Sequence, residues 1–123
     1  MALNRICEGK VLTYTNTSGV DILSGAPVLI GATLGVAITD IPNTLSGSVV
    51  IEDVYEIRKA SGAIAQGAKL YWDADGNPQG SATGNGLSGT GCITTTENGN
   101  VYAGRAYHAA GATDATVQIK LNA

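Results

Sequence analysis

Short β-branched and aliphatic runs, each stopped within a few residues by Gly, Asn, Asp or Pro, follow one another from Lys10 to Leu121. That punctuation is the strongest constraint on what the chain folds into. A sequence cut this often cannot repeat apolar residues at helical spacing over the roughly three turns an average helix needs. Strands of about five or six residues joined by tight turns suit it instead. Residues 49–58 give the plainest pattern: Val49, Ile51, Tyr55 and Ile57 alternate onto one face, with Asp53 as the odd member, and Val50, Glu52, Val54, Glu56 and Arg58 line the other. Period-two alternation of this length predicts one strand with one mostly wet face.

The same reading predicts strands at 10–15, 28–30, 34–39, 68–73, 92–96, 101–107 and 115–121. Leu70 and Trp72 share the expected core face of their strand, with Lys69 and Tyr71 opposite, and Val117, Ile119 and Leu121 alternate against Gln118, Lys120 and Asn122. Asn98-Gly99 reads as a hairpin turn. Residues 80–91 are a Gly/Ser/Thr/Asn stretch with Ala82 and Leu87 as the apolar exceptions, the composition of a long loop. The expectation is an all-β fold, a small β-sandwich or barrel of about eight short, mainly antiparallel strands with long loops. Length predicts a single domain over 1–123. Within it, residues 1–9 form an N-terminal arm ahead of the first strand.

The core this chain can build is thin. Hydrophobic residues make up 44%, yet there is no Phe, one Met and one Trp, and 17 residues are Gly. Large side chains carry most of the burial energy, at roughly 1.5–3 kcal/mol each, and glycine loses the most backbone freedom on ordering. A domain of this kind gains from burying more surface against a partner.

Charge narrows the partner. The net charge is −3, and between Lys10 and Arg58 the sequence has Asp21, Asp40, Glu52, Asp53 and Glu56 but no Lys or Arg. Nucleic-acid binders carry a basic stripe that displaces phosphate counterions, so no direct nucleic-acid contact is expected. No apolar run approaches the ~18 residues of a membrane helix, and 1–5 lack a following apolar segment of the signal-peptide kind. Synthesis in the cytosol is the expectation, and the sequon Asn16-Thr17-Ser18 is then a chance match. Cys7 and Cys92 fit neither a CxxC pair nor a zinc set; they could bridge, but two small buried thiols are expected.

Candidate chemistry fails on spacing. Gly62 to Leu70 nearly spells a phosphate-binding loop, but the lysine, Lys69, arrives one residue late, no Ser or Thr follows it, and the next residues read as strand rather than helix. Asp73-Ala74-Asp75-Gly76-Asn77 opens like a calcium loop, yet its sixth and twelfth places hold Pro78 and Gly84 instead of Gly and Glu. His108 is the sole histidine, and no G-x-S-x-G elbow exists to use it. Glu52 and Asp53 point to opposite faces of the expected strand. No catalytic residue, no metal ligand and no cofactor is expected, and the chain reads as no enzyme.

An ordered series of short blocks adds a resemblance. Glu8-Gly9 precedes Val11-Leu12-Thr13; then come Ser24-Gly25-Ala26-Pro27-Val28, Leu34-Gly35-Val36-Ala37 and Val54-Tyr55-Glu56-Ile57-Arg58-Lys59-Ala60. Gln66-Gly67-Ala68-Lys69-Leu70-Tyr71-Trp72-Asp73, Gly104-Arg105-Ala106 and Asp114 to Asn122 complete it. The chain thereby resembles the bacteriophage capsid cement, or head-decoration, family. That family was formerly filed as a domain of unknown function, and some members carry a RecA/RadA recombinase label that the broken phosphate loop argues against here. Asp53 departs from the pattern, which often has Gly there, and residues 80–91 are longer than usual.

The resemblance implies a structural virion protein on the outer surface of the capsid. It implies a homotrimer that binds the major capsid protein and stabilises capsomer junctions. The arm residues Leu3, Asn4, Arg5 and Ile6 are the candidate capsid-docking residues, and Val50 and Val54 candidates for the subunit contact. The alternative is a surface-displayed carbohydrate- or host-binding β module, working through Tyr71 or the 80–91 loop.

Overall fold

The computed structural model describes residues 10–79 and 91–123. Among these residues lie nine strands and no helix: β1 (Val11–Thr15), β2 (Pro27–Ile30), β3 (Thr33–Ala37), β4 (Ser46–Val50), β5 (Val54–Arg58), β6 (Lys69–Asp73), β7 (Cys92–Thr94), β8 (Val101–Ala106) and β9 (Thr116–Leu121). They form two antiparallel sheets, one ordered β1-β4-β3-β2 and the other β5-β9-β8-β6-β7. Of the two expected forms this is the sandwich. The second sheet curls until its edge strands β5 and β7 meet at one parallel bridge, Lys59 to Ile93, short of a closed barrel.

The long strand expected over 49–58 is not continuous. It is two strands, β4 and β5, in different sheets, separated by a bend at Ile51, Glu52 and Asp53. Asp53 turns the chain with φ 74, in the left-handed region that few non-glycine residues occupy. Its oddity in the alternation was the trace of that bend. The chain thus finishes one sheet before it begins the other.

Register explains where the core lies. Leu34 and Val36 of β3 face the second sheet, where they join Ile57, Leu70, Trp72, Ile93, Val117, Ile119 and Leu121 in the larger apolar cluster. The opposite face of the first sheet carries Val28, Ala37 and Val49, roofed by Ile22 and Ile41 from the β1–β2 and β3–β4 loops. Those two loop residues pair as an antiparallel bridge. A side chain at Gly47 would collide with Ile41, so the roof rests directly on the β4 backbone. Alternation places Leu70 and Trp72 inward as expected, but Tyr71 is only 8% exposed. The register of β6 on β8 slips between Leu70 and Tyr71. That bulge aims Tyr71 at Tyr102, edge to face with ring centroids 5.7 Å apart.

At the seam between the sheets, Asn122 (φ 55) donates from Nδ2 to Leu34 O at 3.0 Å and to Ile51 O at 2.6 Å. One side chain from the end of β9 therefore ties both the first sheet and the bend to the second.

Candidate docking surface

The loop end of the first sheet is built around Asn16, which is fully buried. Its Nδ2 donates to Val20 O at 2.7 Å and to Ile41 O at 2.8 Å. Its Oδ1 accepts from Ser18 N at 3.0 Å and Ser18 Oγ at 2.6 Å. Both donors and both acceptor positions of the amide are used. This engagement removes Asn16 from any glycosylation reading of its sequon in the folded chain. Two aspartates brace the same loops: Asp40 Oδ1 accepts from Ser24 N at 2.8 Å, and Asp21 Oδ1 from Asn43 N at 2.9 Å. These bonds, with the Ile22 and Ile41 roof beneath, hold the loops in one arrangement.

What they hold outward is apolar. Leu23 is 65% exposed and Leu45 56%, and Val20 and Ile38 are exposed beside them. Each is tied into these loops through its carbonyl: Val20 O accepts from Asn16 Nδ2, Leu45 O from Asn16 N, Ile38 O from Ser24 Oγ and Leu23 O from Ala26 N. Single exposed aliphatic residues need no account, but several gathered on a rigid loop end mark an interaction surface.

The sequence-derived candidates fall as follows. Leu3, Asn4, Arg5, Ile6 and Cys7 lie outside the described residues, as do residues 80–90 of the expected loop. Val50 is buried in the first sheet and Val54 is exposed on the second, so the two do not share a face. Tyr71, the candidate sugar platform, is covered. Lys69 lies on a strand, and Gly67 sits in the turn before it. Asp73 Oδ1 accepts from Asp75 N at 3.1 Å, so the acidic stretch closes a local turn on itself. His108 is exposed against the Tyr107 ring. Among the described residues, no three His, Cys, Asp or Glu side chains converge as a metal site.

A second polar cluster sits at the edge of the curled sheet. Arg58 lies over the Trp72 ring, 5.4 Å from its centroid, and its Nε donates to Gly91 O. One terminal nitrogen of the guanidinium is buried without a partner. Burial lowers the Arg58 pKa, opposed by the Cys92 thiolate, while burial first and the Asp73 carboxylate second push the free Cys92 thiol up from 9.0. A raised thiol pKa favours the protonated form in the fold. The linked stability is therefore present below about pH 9 and lost as pH rises beyond it. In a Cys7→Ser chain, Cys92 is expected to resist a thiol reagent at neutral pH until denaturant is added. Rapid labelling of the native chain would contradict that burial. Next to this cluster Lys59 is fully buried, its Nζ donating to Ala60 O at 3.0 Å. The burial of Lys59 is not legible in the sequence, where it follows a strand and opens the polar stretch Lys59-Ala60-Ser61-Gly62.

The fold and its surfaces define a small two-sheet β protein with an exposed apolar loop end. The chain belongs to the phage cement protein family, whose family model matches residues 6–121. It is thus a structural protein of the bacteriophage capsid. No curated protein and no solved structure shows significant similarity to it.

Proposed function

We propose that this chain is a non-enzymatic cement subunit that adds as a trimer to the outside of the phage head, binds the major capsid protein and reinforces capsomer junctions. Residues 1–123 act as one β domain in this reading. Family membership supplies the capsid. The observation that carries the docking role is the braced loop end with Val20, Leu23, Ile38 and Leu45 turned outward. A preorganised apolar surface loses little entropy on binding. Repeated around a shell, modest contacts hold because linked sites raise effective concentration. The arm residues Leu3, Asn4, Arg5 and Ile6 supply the second contact.

The test is addition of purified protein to expanded heads that lack it. Uptake in fixed stoichiometry with a higher head melting temperature is expected; no uptake at any protein concentration sinks the proposal. Leu23→Asp with Leu45→Asp should weaken head binding by at least about tenfold while the chain stays folded, since truncating a buried anchor costs about 2 kcal/mol or more. Deleting residues 2–8 should abolish uptake. Unchanged uptake in either variant removes that contact from the proposal.

A further inference from the structure

The register of the second sheet creates a feature that the linear sequence conceals. Lys69 on β6 lies directly opposite Arg105 on β8, and Arg105 lies directly opposite Lys120 on β9. Lys120 in turn faces Val54 on β5. Four neighbouring strands therefore carry Lys69, Arg105, Lys120 and Val54 in one row, and all four side chains are exposed on the outer face. Strand spacing makes this stripe about 14 Å long.

Three like charges directly opposite one another weaken a sheet, and no ion pair among the described residues offsets them. Arg105 reaches only Gly67 O, at 3.4 Å, and neither lysine has an ion-pair partner among the described residues. The nearest carboxylate on β5, Glu56, is taken by the Thr116 hydroxyl at 2.6 Å. Among the described residues, Lys10 is the other exposed cation, so three of the four exposed Lys and Arg side chains described lie in this row. Immediately past Val54 the sign reverses at Glu52 and Asp53 in the bend between the sheets. There the row runs into a cleft of about 650 Å³ lined by Glu52, Asp53, Val54, Tyr107 and Lys120. The stripe is acidic at one end, basic at the other, and has an exposed aliphatic and an exposed aromatic residue between.

We propose that this stripe is the contact between copies of the chain: the Lys69–Arg105–Lys120 row of one seats against the Glu52–Asp53 bend of the next, with Val54 and Tyr107 at its centre. A surface whose charges separate along a line is complementary to a second copy of itself. Joined head to tail, acidic end to basic end, such contacts make a ring when the rotation between copies closes, and a trimer is the ring whose rotation is a third of a turn. An apolar centre with a charged rim is the usual anatomy of a protein interface. The inference rests on the trimer proposed above and names its contact. Nucleic acid fits less well, since the acidic bend adjoins the row and would repel phosphate.

Light scattering with size-exclusion chromatography on the full chain tests it. At about 0.05 M salt a trimer is expected, loosening toward monomer at about 0.5 M as the charges are screened. Arg105→Glu should weaken association about tenfold or more. It should also raise the melting temperature of the monomer, because the row then alternates in sign. A simple folding defect would move both readings the same way. Glu52→Lys should weaken association equally, and the chain with both reversals should regain it. A trimer indifferent to salt and to Arg105→Glu overturns this contact and leaves the trimer. A monomer under all conditions removes contact and trimer together, while head uptake still judges the cement role. A monomer that binds polyglutamate through Arg105 assigns the row to an acidic partner, which also overturns the proposal.

Discussion

Gly104→Ala is expected to lower stability by about 3 kcal/mol or more, and the melting temperature by about 10 °C or more. Gly104 is the β8 residue at the bulge, with φ 149, a conformation that L side chains rarely adopt. A Cβ there would also sit on the carbonyl oxygen of Lys120 in the neighbouring strand. The obstacle is backbone rather than a flexible side chain, so relief requires β8 and β9 to part. Gly99→Ala is the control. Gly99 also has positive φ, 79, but open space around the Cβ position, so only conformational strain of about 1 kcal/mol applies. Similar melting temperatures for the two variants would show that the bulge accommodates a methyl group.

Asn16→Ala should cost about 2–4 kcal/mol. It removes one of the two donors on Val20 O and on Ile41 O, takes the acceptor from Ser18 N, and leaves a void at a fully buried position. Beyond global stability, the variant should loosen the loop end. Faster amide exchange is expected at Ile22 and Ile41, whose N–H groups bond each other's carbonyls at 3.0 and 2.7 Å. If head binding depends on preorganisation of Val20, Leu23, Ile38 and Leu45, Asn16→Ala should weaken it without touching any of them. Exchange and melting both unchanged would mean that the Asn16 knot is dispensable.

Much of this architecture was legible because alternation reports which face of a strand is wet. Leu70, Trp72, Val117, Ile119 and Leu121 lie inward as their spacing predicts. What alternation does not report is continuity. Val49 and Ile57 are both buried, in phase with a single strand, yet they serve different apolar clusters, and the bend between them moves the chain from one sheet to another. The intervening residues keep the parity, so the only trace was Asp53. Tyr71 was misplaced for a related reason: a bulge breaks the phase, and it depends on Gly104, distant in sequence. Asn16 read as an ordinary turn residue, because its partners come from two loops and one of them, Ile41, is far along the chain. The basic row is a property of register between Lys69, Arg105 and Lys120, which no local window contains. The strand expected in place of a helix at Lys69, one ground against a phosphate loop, is β6.

The single passage of the chain between the sheets has a mechanical consequence. Each sheet is made of consecutive strands, so during synthesis the first can pair internally before the second emerges. Asn122, near the end of β9, then latches onto Leu34 O and Ile51 O, and the seam closes last. Across that seam the described structure shows the Asn122 latch and the packing of β3 on β8, against continuous strand pairing within each sheet. A subunit built this way is two self-paired halves joined by side-chain packing and a latch at the very end of the chain.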